Sequence, residues 1–567
     1  MKSLYLLFFS FFCSFLFVID VQATVYTVAS QEAFDNAHDD AGANDSIIWK
    51  AGTYQDIYML VDRNDLFIAS EELGQTIFNG DSRVRINGDH ITLEGFQYVG
   101  GDIGTSDVIS IYGSDILIHQ INIRAYTSYK YLRIRESSQY VVVKHCNFEN
   151  RLNLDDQNIL SILVDANQPG YHKIQYCSFK NFDGTGNDMG IEPIRIGLST
   201  QADRISRSLV EYCYFTQCDG DGEIISSKAT QNVYRYNTFE NNPKAELVLR
   251  HGSEAIVYGN FFLNGKGGVR VREGQNHYIY NNYFSGIDDR TIYLQNEDSD
   301  PLDNIHIAYN TLVDCEEVRL GGSGSDKPTN VTFANNIFSD PQDDLFREPT
   351  GTETWIGNIV NGDLGMSLPS NGMTVVDPLL VLNGQGFWGL DPASPAIDAA
   401  ESGYLTLPQF PGMDSIDAEI LFDLMGQNRP SAIEDRDLGC NEYPHDIEIK
   451  PIATEENTGP SYNTSTLSSI DSDKRIPKDF FQLYPNPVKD QLNIRLDLPY
   501  PGELMIEIYD LLGQRIRTFF PQMVSTGSYV VDQVIGDLAS GTYNIKVTFK
   551  ARGGIDMRTQ YQTFVKD

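Results

Sequence analysis

Short runs in which apolar and polar residues alternate recur along most of the chain, and no helix-length pattern separates them. Val233-Tyr234-Arg235-Tyr236 and Ile305-His306-Ile307-Ala308-Tyr309 are typical. Side chains two apart share a face, which is the period of a strand. A Cys or Asn follows such runs, then one residue, then an aromatic or Leu. The triplets are Cys146-Asn147-Phe148, Cys177-Ser178-Phe179, Cys213-Tyr214-Phe215, Asn237-Thr238-Phe239, Asn260-Phe261-Phe262, Asn282-Tyr283-Phe284, Asn310-Thr311-Leu312 and Asn336-Ile337-Phe338. Their starts lie 31, 36, 24, 23, 22, 28 and 26 residues apart. A period in the twenties with variable insertions predicts a solenoid. Strand-like units without intervening helices predict parallel strands stacked coil on coil. The expected fold class is therefore all-β: a right-handed parallel β-helix, followed by a C-terminal β-sandwich module. The aligned Asn side chains are expected to form an amide ladder and the Phe rings an internal stack, both as scaffold.

The ends refine this picture. Residues 1–23 read as a signal peptide, with Lys2, an apolar run from Leu4 to Ile19 and the small-residue site Val21-Gln22-Ala23. A membrane anchor is the alternative, but the run barely approaches spanning length and no stop-transfer flank follows. No membrane span is expected in the mature chain. Residues 24–445 are assigned to the β-helix, which opens at Ala51-Gly52-Thr53-Tyr54 after Ile47-Ile48-Trp49. Its closing segments are Ser394-Pro395-Ala396-Ile397-Asp398 and Asp437-Leu438-Gly439-Cys440-Asn441-Glu442. Residues 446–478 turn to Ser, Thr, Asn, Pro and Glu, a linker composition, and residues 479–567 form the C-terminal module.

Composition supports strands and turns: aromatics are 11% of the 567 residues, and Gly and Asn are abundant. The formal net charge of -36 excludes a general nucleic-acid binder, which needs a basic face. It also means that a polyanionic partner requires a locally basic site or a bound cation. Six cysteines remain once Cys13 is removed with the leader. Cys146, Cys177 and Cys213 share the repeat position, which suggests a column of small apolar side chains, and no CxxC pair or histidine cluster points to zinc.

Two segments carry candidate chemistry, Asp221-Gly222-Glu223-Ile224-Ile225-Ser226-Ser227-Lys228 and Leu247-Val248-Leu249-Arg250-His251-Gly252. Lys228 and Arg250 are 22 residues apart, one coil, so they are expected to stack at about 4.8 Å and share a groove. The next coil adds Arg270 and Arg272. Taken singly, Asp221 and Glu223 read as a solvated turn and Lys228 as a surface lysine; the joint spacing over adjacent coils is what points to a site.

These segments, with Gly259-Asn260-Phe261-Phe262, Gly267-Gly268-Val269-Arg270 and Asn281-Asn282-Tyr283-Phe284, resemble polysaccharide lyase family six, which contains chondroitinase B and alginate lyases. Weaker similarity covers about residues 25–445. The resemblance implies Lys228 as catalytic base, Arg250 as catalytic acid, and Asp221 and Glu223 as calcium ligands. Asp221 is one methylene shorter than the Glu usual there. The third ligand falls to Asn187 or Glu192. Calcium would mask the uronate carboxylate and so ease removal of the C5 proton, and hard oxygen ligands suit it. A lysine base needs a lowered pKa, which Arg250, Arg270 and a cation would promote. Arginine is a poor proton donor because its pKa exceeds about 12, so Arg250 is read as electrostatic stabiliser and candidate acid. His251 is expected to bind substrate or orient Arg250, Arg270 to bind a substrate carboxylate, and Arg272 to bind substrate or cap a solvated edge.

The C-terminal stretch contains Leu483-Tyr484-Pro485-Asn486-Pro487, Asp490-Gln491-Leu492-Asn493-Ile494, Tyr509-Asp510-Leu511-Leu512-Gly513-Gln514 and Leu538-Ala539-Ser540-Gly541-Thr542-Tyr543. It resembles the type IX secretion sorting domain of Bacteroidetes; a carbohydrate-binding sandwich is the alternative. The resemblances imply a chain secreted or attached at the cell surface through the type IX machinery after periplasmic transit. Its expected activity is β-elimination on an acidic polysaccharide, alginate first and dermatan sulfate or chondroitin second. A hydrolase or epimerase on the same fold leaves the Lys and Arg-His-Gly combination unexplained. A noncatalytic glycan-binding adhesin would produce no unsaturated sugar.

Overall fold

A computed structural model of the chain describes residues 23–462 and 481–567, except 154–156, 183, 185–189, 296–301, 323–326, 384–385, 417–419, 445–449, 499–501, 511–514, 525–526, 537 and 552–556. The expected signal peptide lies outside the described residues, save for Ala23. So does most of the expected linker. Among the described residues no helix is long and apolar enough to cross a membrane.

The chain divides into two compact units between Ala453 and Thr454. The first is a parallel β-solenoid. Among its described residues three long sheets hold 14, 12 and 14 strands, and each coil contributes one strand to each sheet. One coil runs through Val233–Arg235, Thr238–Glu240 and Glu246–Leu249. The next runs through Ile256–Tyr258, Phe261–Gly265 and Val269–Val271. The two are in register, with Val233 opposite Ile256, Phe239 opposite Phe262 and Leu249 opposite Val271. Inward residues of all three sheets make one continuous apolar core.

The predicted ladder is present at one corner. The Nδ2 of Asn237, Asn260, Asn282, Asn310 and Asn336 each donates to the Oδ1 of the next Asn at 2.9–3.0 Å, ending on Asn358. Each Oδ1 also accepts from the backbone N–H of the preceding rung. Buried backbone groups at a turn must be paired, and one side chain per coil does this where strand pairing is interrupted. Beside the ladder Phe148, Phe179, Phe215, Phe239, Phe262 and Phe284 stack with centroids 4.7–5.0 Å apart. Gly259 belongs to the same corner because a Cβ there would lie 2.7 Å from the Tyr236 ring, and its φ of 64° favours glycine. Cys146, Cys177, Cys213, Cys218, Cys315 and Cys440 are all free and buried, as the repeat position implied for the first three.

One element departs from the sequence pattern. Gln31–Asp40 is an α-helix, with Ser30 as N-cap accepting from the N–H of Ala33. It buries Phe34 against Trp49, centroids 5.9 Å apart, at the first coil. Only Phe34, Ala37 and His38 are buried along its length, too sparse a stripe to stand out among alternating runs. The solenoid unit also extends past the expected boundary at 445. Lys450 sits with its ammonium 4.2 Å from the Tyr236 ring centroid.

Two fully buried histidines couple this fold to pH. His277 Nδ1 accepts from the N–H of Ala255 at 3.2 Å while Nε2 donates to the carbonyl of Glu273 at 3.1 Å, so its ring is held neutral. His172 Nδ1 accepts from the N–H of Val141. Burial lowers His172 to about 3 and His277 to about 4, against an ordinary 6.5. Below pH 6.5 the unfolded chain therefore binds more protons at these sites, and stability drains away as pH falls toward 4, at about 1.4 kcal/mol per pH unit and histidine. Glu192 and Glu442, each raised to about 7 chiefly by burial, act in the opposite sense. The test is thus a difference: thermal unfolding of wild type and His277→Gln between pH 4 and pH 7 is expected to show a shallower acid-side fall in the variant.

The second unit is antiparallel. Phe481–Tyr484, Gln491–Leu498 and Gly527–Val534 form one sheet, and Arg515–Val524, Gly502–Tyr509, Gly541–Ala551 and Met557–Lys566 the other. Leu492, Ile494 and Leu496 from the first sheet share a core with Ile506, Ile508, Val547 and Phe564 from the second, the pattern of a β-sandwich.

Candidate active site

The 12-stranded sheet of the solenoid carries the site. Ile196, Ser227, Leu249 and Val271 are register partners on consecutive coils. The next residue in each strand continues the pairing. The N–H of Lys228 donates to Ile196, that of Arg250 to Ser227 and that of Arg272 to Leu249. Gly197, Lys228, Arg250 and Arg272 therefore form one column, and Lys228 and Arg250 stand on adjacent rungs as their spacing predicted. Arg270 lies on the neighbouring outward column, opposite Val248 and Tyr293. A cavity of about 160 Å³ is lined by Asp221, Glu223, Arg250, Lys266, Arg270 and Arg272.

Carboxylates enter from the start of the same strands. Glu223 is paired in register with Glu246, with a bulge between Glu223 and Ile225. Glu223 forms an ion pair with Arg250, and Glu246 stands 3.6 Å from Arg270. Glu192 lies within electrostatic reach of Asp221, Glu223 and Arg195. The Oε2 atoms of Glu192 and Glu223 are buried without a hydrogen-bond partner among the described residues. Burial, more than the neighbouring carboxylates, raises Glu192 to about 7. The Oδ2 of Asp221 accepts from the N–H of Gly190 at 2.6 Å and its Oδ1 from that of Glu223 at 3.1 Å. It shapes the turn that presents Glu223. Among the described residues no three His, Cys, Asp or Glu side chains make a metal-holding group. Asn187 lies outside the described residues.

Lys228 is half-buried. Burial lowers its ammonium below the ordinary 10.5; Arg250 and Arg195 push the same way, while Glu192 and Glu223 oppose. The chain thus offers an amine that deprotonates more readily than a free lysine, on the rung next to that of an arginine, beside buried carboxylates with open oxygens. Such a set has the chemistry to withdraw a proton and to stabilise negative charge on a departing oxygen.

Residues 28–337, which include the whole of this constellation, match the family model of chondroitinase B. The chain belongs to the chondroitinase B family. Residues 482–555 match the secretion-system C-terminal sorting domain, so the second unit addresses this family member to type IX export, for release or attachment at the cell surface. The fold is shared with the PL6-family alginate lyase AlyGC at a TM-score of 0.60 and 21% identity, covering 76% of this chain and 60% of that one. It is also shared with a mannuronic-acid-specific family 6 lyase from human gut microbiota, at a TM-score of 0.55 and 23% identity, covering 62% and 91%. The PL6 lyase Pedsa3628 of Pseudopedobacter saltans gives 0.52 and 19%, covering 60% and 93%. This chain thus spans about 60% of the length of AlyGC. No curated protein matches it.

Several residues around the candidate site were not found by sequence reasoning. Arg195 is the register partner of Ser226, one rung before Lys228, and stands 3.8 Å from Glu192. Glu273 pairs with Nδ1 of His251 and so fixes that ring beside Arg250. Lys130 is buried; its Nζ donates to Asn158 and, at 3.1 Å, to Gln157, and burial pushes it down to about 7. The Ile-Arg-Ile run around Arg195 was the one available signal, since it repeats the strand that carries Arg270.

Proposed function

We propose that this chain is a secreted lyase that cleaves an acidic polysaccharide, alginate in the first instance, by β-elimination. The observation that carries the reading is the shared column of Lys228 and Arg250 on adjacent rungs, with the lysine amine lowered by burial. Lys228, once neutral, takes the C5 proton of a uronate bound across the two rungs. The C4–O4 bond then breaks, leaving an unsaturated sugar end. Arg250 faces the departing oxygen and stabilises its charge, while water or a substrate-side hydroxyl supplies the proton that a guanidinium gives up poorly. His251, fixed by Glu273, lines the same edge as Arg250. Arg270 and Arg272 hold carboxylates of neighbouring sugars in this reading.

The open oxygens of Glu192 and Glu223 suit a hard divalent cation such as calcium, with Asp221 and Asn187 as further candidate ligands. Such an ion would supply neutralisation of the uronate carboxylate, which lowers the cost of charge built up as the C5 proton leaves. A glycosaminoglycan of the dermatan type is the second reading, favoured by the chondroitinase B match itself.

Incubation with alginate, its separate mannuronate and guluronate blocks, and dermatan sulfate tests the reading. Ultraviolet absorbance from the unsaturated uronate is expected to grow with an alginate substrate, and its absence on every substrate would refute elimination. Chelation is expected to slow the reaction, calcium to restore it, and Glu223→Gln to remove that restoration. Calcium-dependent protection against thermal unfolding, lost in the same variant, checks binding apart from turnover.

A further inference from the structure

The outward column beside Lys228 continues toward the N-terminal coils with a regularity of its own. Arg85, Ser110, Arg133, Ser161, Arg195 and Ser226 are successive register partners. Arginine thus stands on every second rung, and serine between. Two strand spacings are about 9.6 Å, the length of one disaccharide in an extended glycan. The rungs of Arg195, Arg133 and Arg85 lie one, three and five spacings before that of Lys228, a track of about 24 Å.

The charge on this side is open to a ligand. Arg133 and Arg135 approach Asp107 only at 3.9 and 3.7 Å, and Arg195 approaches Glu192 at 3.8 Å, all beyond hydrogen-bond length. Arg85 is exposed, donates to Asn87 at 2.9 Å and lies 4.2 Å from the Tyr112 ring centroid, with Arg135 on the same ring at 5.0 Å. Beyond the site in the other direction the arginines are neutralised. Arg319 bonds Glu348 and Arg347 bonds Asp343, each at 2.7 Å. The serines also matter: Ser161 and Ser226 are covered, so the long side chains at alternate rungs form the groove floor.

We propose that Arg85, Arg133 and Arg195 form a carboxylate-reading track on the N-terminal side of Lys228, which takes an extended glycan presenting a carboxylate to the same face at every second sugar. Tyr112, with the guanidinium groups of Arg85 and Arg135 over its ring, holds these two arginines at the far end of the track. The proposal rests on the lyase reading for its polarity about Lys228, but its binding content stands without turnover. An alginate ribbon meets the requirement through alternate uronates, and a dermatan-type chain through its single uronate per disaccharide.

The test uses the full chain, Arg85→Gln, and the double variant Arg85→Gln with Arg133→Gln, on size-graded oligosaccharides from alginate and from dermatan. Wild-type kcat/KM is expected to rise with length until the glycan reaches the Arg85 rung. In the double variant the ratio of long-chain to short-chain kcat/KM is expected to fall about tenfold, and Arg85→Gln, at an exposed position, to lose part of it. The substrate family that shows the length gain identifies the source of the carboxylates. An unchanged ratio in both variants overturns the track. If the wild type turns over nothing, the lyase reading fails by itself. Calorimetric affinities for the same oligosaccharides then decide the track: about tenfold weaker long-chain binding in the double variant supports it, and equal binding overturns it.

Discussion

Lys228→Ala is expected to lower kcat on alginate by roughly 10²–10⁴-fold, the range for loss of a general base, with no matching loss of stability. The side chain is half-buried at the edge of a strand whose inward residues are untouched by the change, so thermal unfolding should shift little. Lys228→Arg is the sharper variant. It keeps the charge but not the ability to become neutral, because a guanidinium stays protonated in proteins; it should be about as inactive as the alanine form. The pH profile follows from the same group. Burial, with Arg250 and Arg195, disfavours the charged amine more than Glu192 and Glu223 favour it. Since the neutral amine is the active form, kcat/KM should rise with pH and level off below lysine's ordinary 10.5. Full activity in Lys228→Ala would end the assignment of the base.

The second large effect concerns the scaffold. Asn282 donates to the carbonyl of Val257 at 3.0 Å and to Oδ1 of Asn310, while its own Oδ1 accepts from both the backbone N–H and Nδ2 of Asn260. Asn282→Ala strips partners from buried groups on the two flanking coils, at about 1–3 kcal/mol for each group left unpaired. A loss of about 3–5 kcal/mol is expected in denaturant unfolding. Because the rung lies across the solenoid core from the groove, activity per folded molecule should be retained at low temperature. A loss below about 1 kcal/mol would show that water or a shifted backbone replaces the amide.

The repeat made much of this readable before any coordinates. The triplet spacing located the Asn and Phe columns, and the 22 residues from Lys228 to Arg250 placed them on adjacent rungs because no insertion intervenes. Legibility stopped where coils swell. From Ile196 to Ser227 is one coil too, yet it takes 31 residues, since a loop with a 3-10 turn at Ser199–Gln201 is inserted. Arg195 was hidden by that insertion, and so was the alternation that runs back to Arg85. Asp221 also accepts from the backbone N–H groups of Gly190 and Glu223, a fact of turn geometry that composition does not reveal. The helix at Gln31–Asp40 escaped for the opposite reason: it is a single irregular element in a chain whose pattern is repetition.

That helix has a consequence for the open end of the solenoid. A column of matched strands offers, at its first rung, a row of unpaired N–H and C=O groups to which any like rung could add. By laying Phe34 over Trp49, the Gln31–Asp40 segment seals the core at this terminus. Its outer face carries Glu32, Asp35, Asn36, Asp39 and Asp40, so the apolar core that the repeat would otherwise leave open at this end is covered by a charged surface.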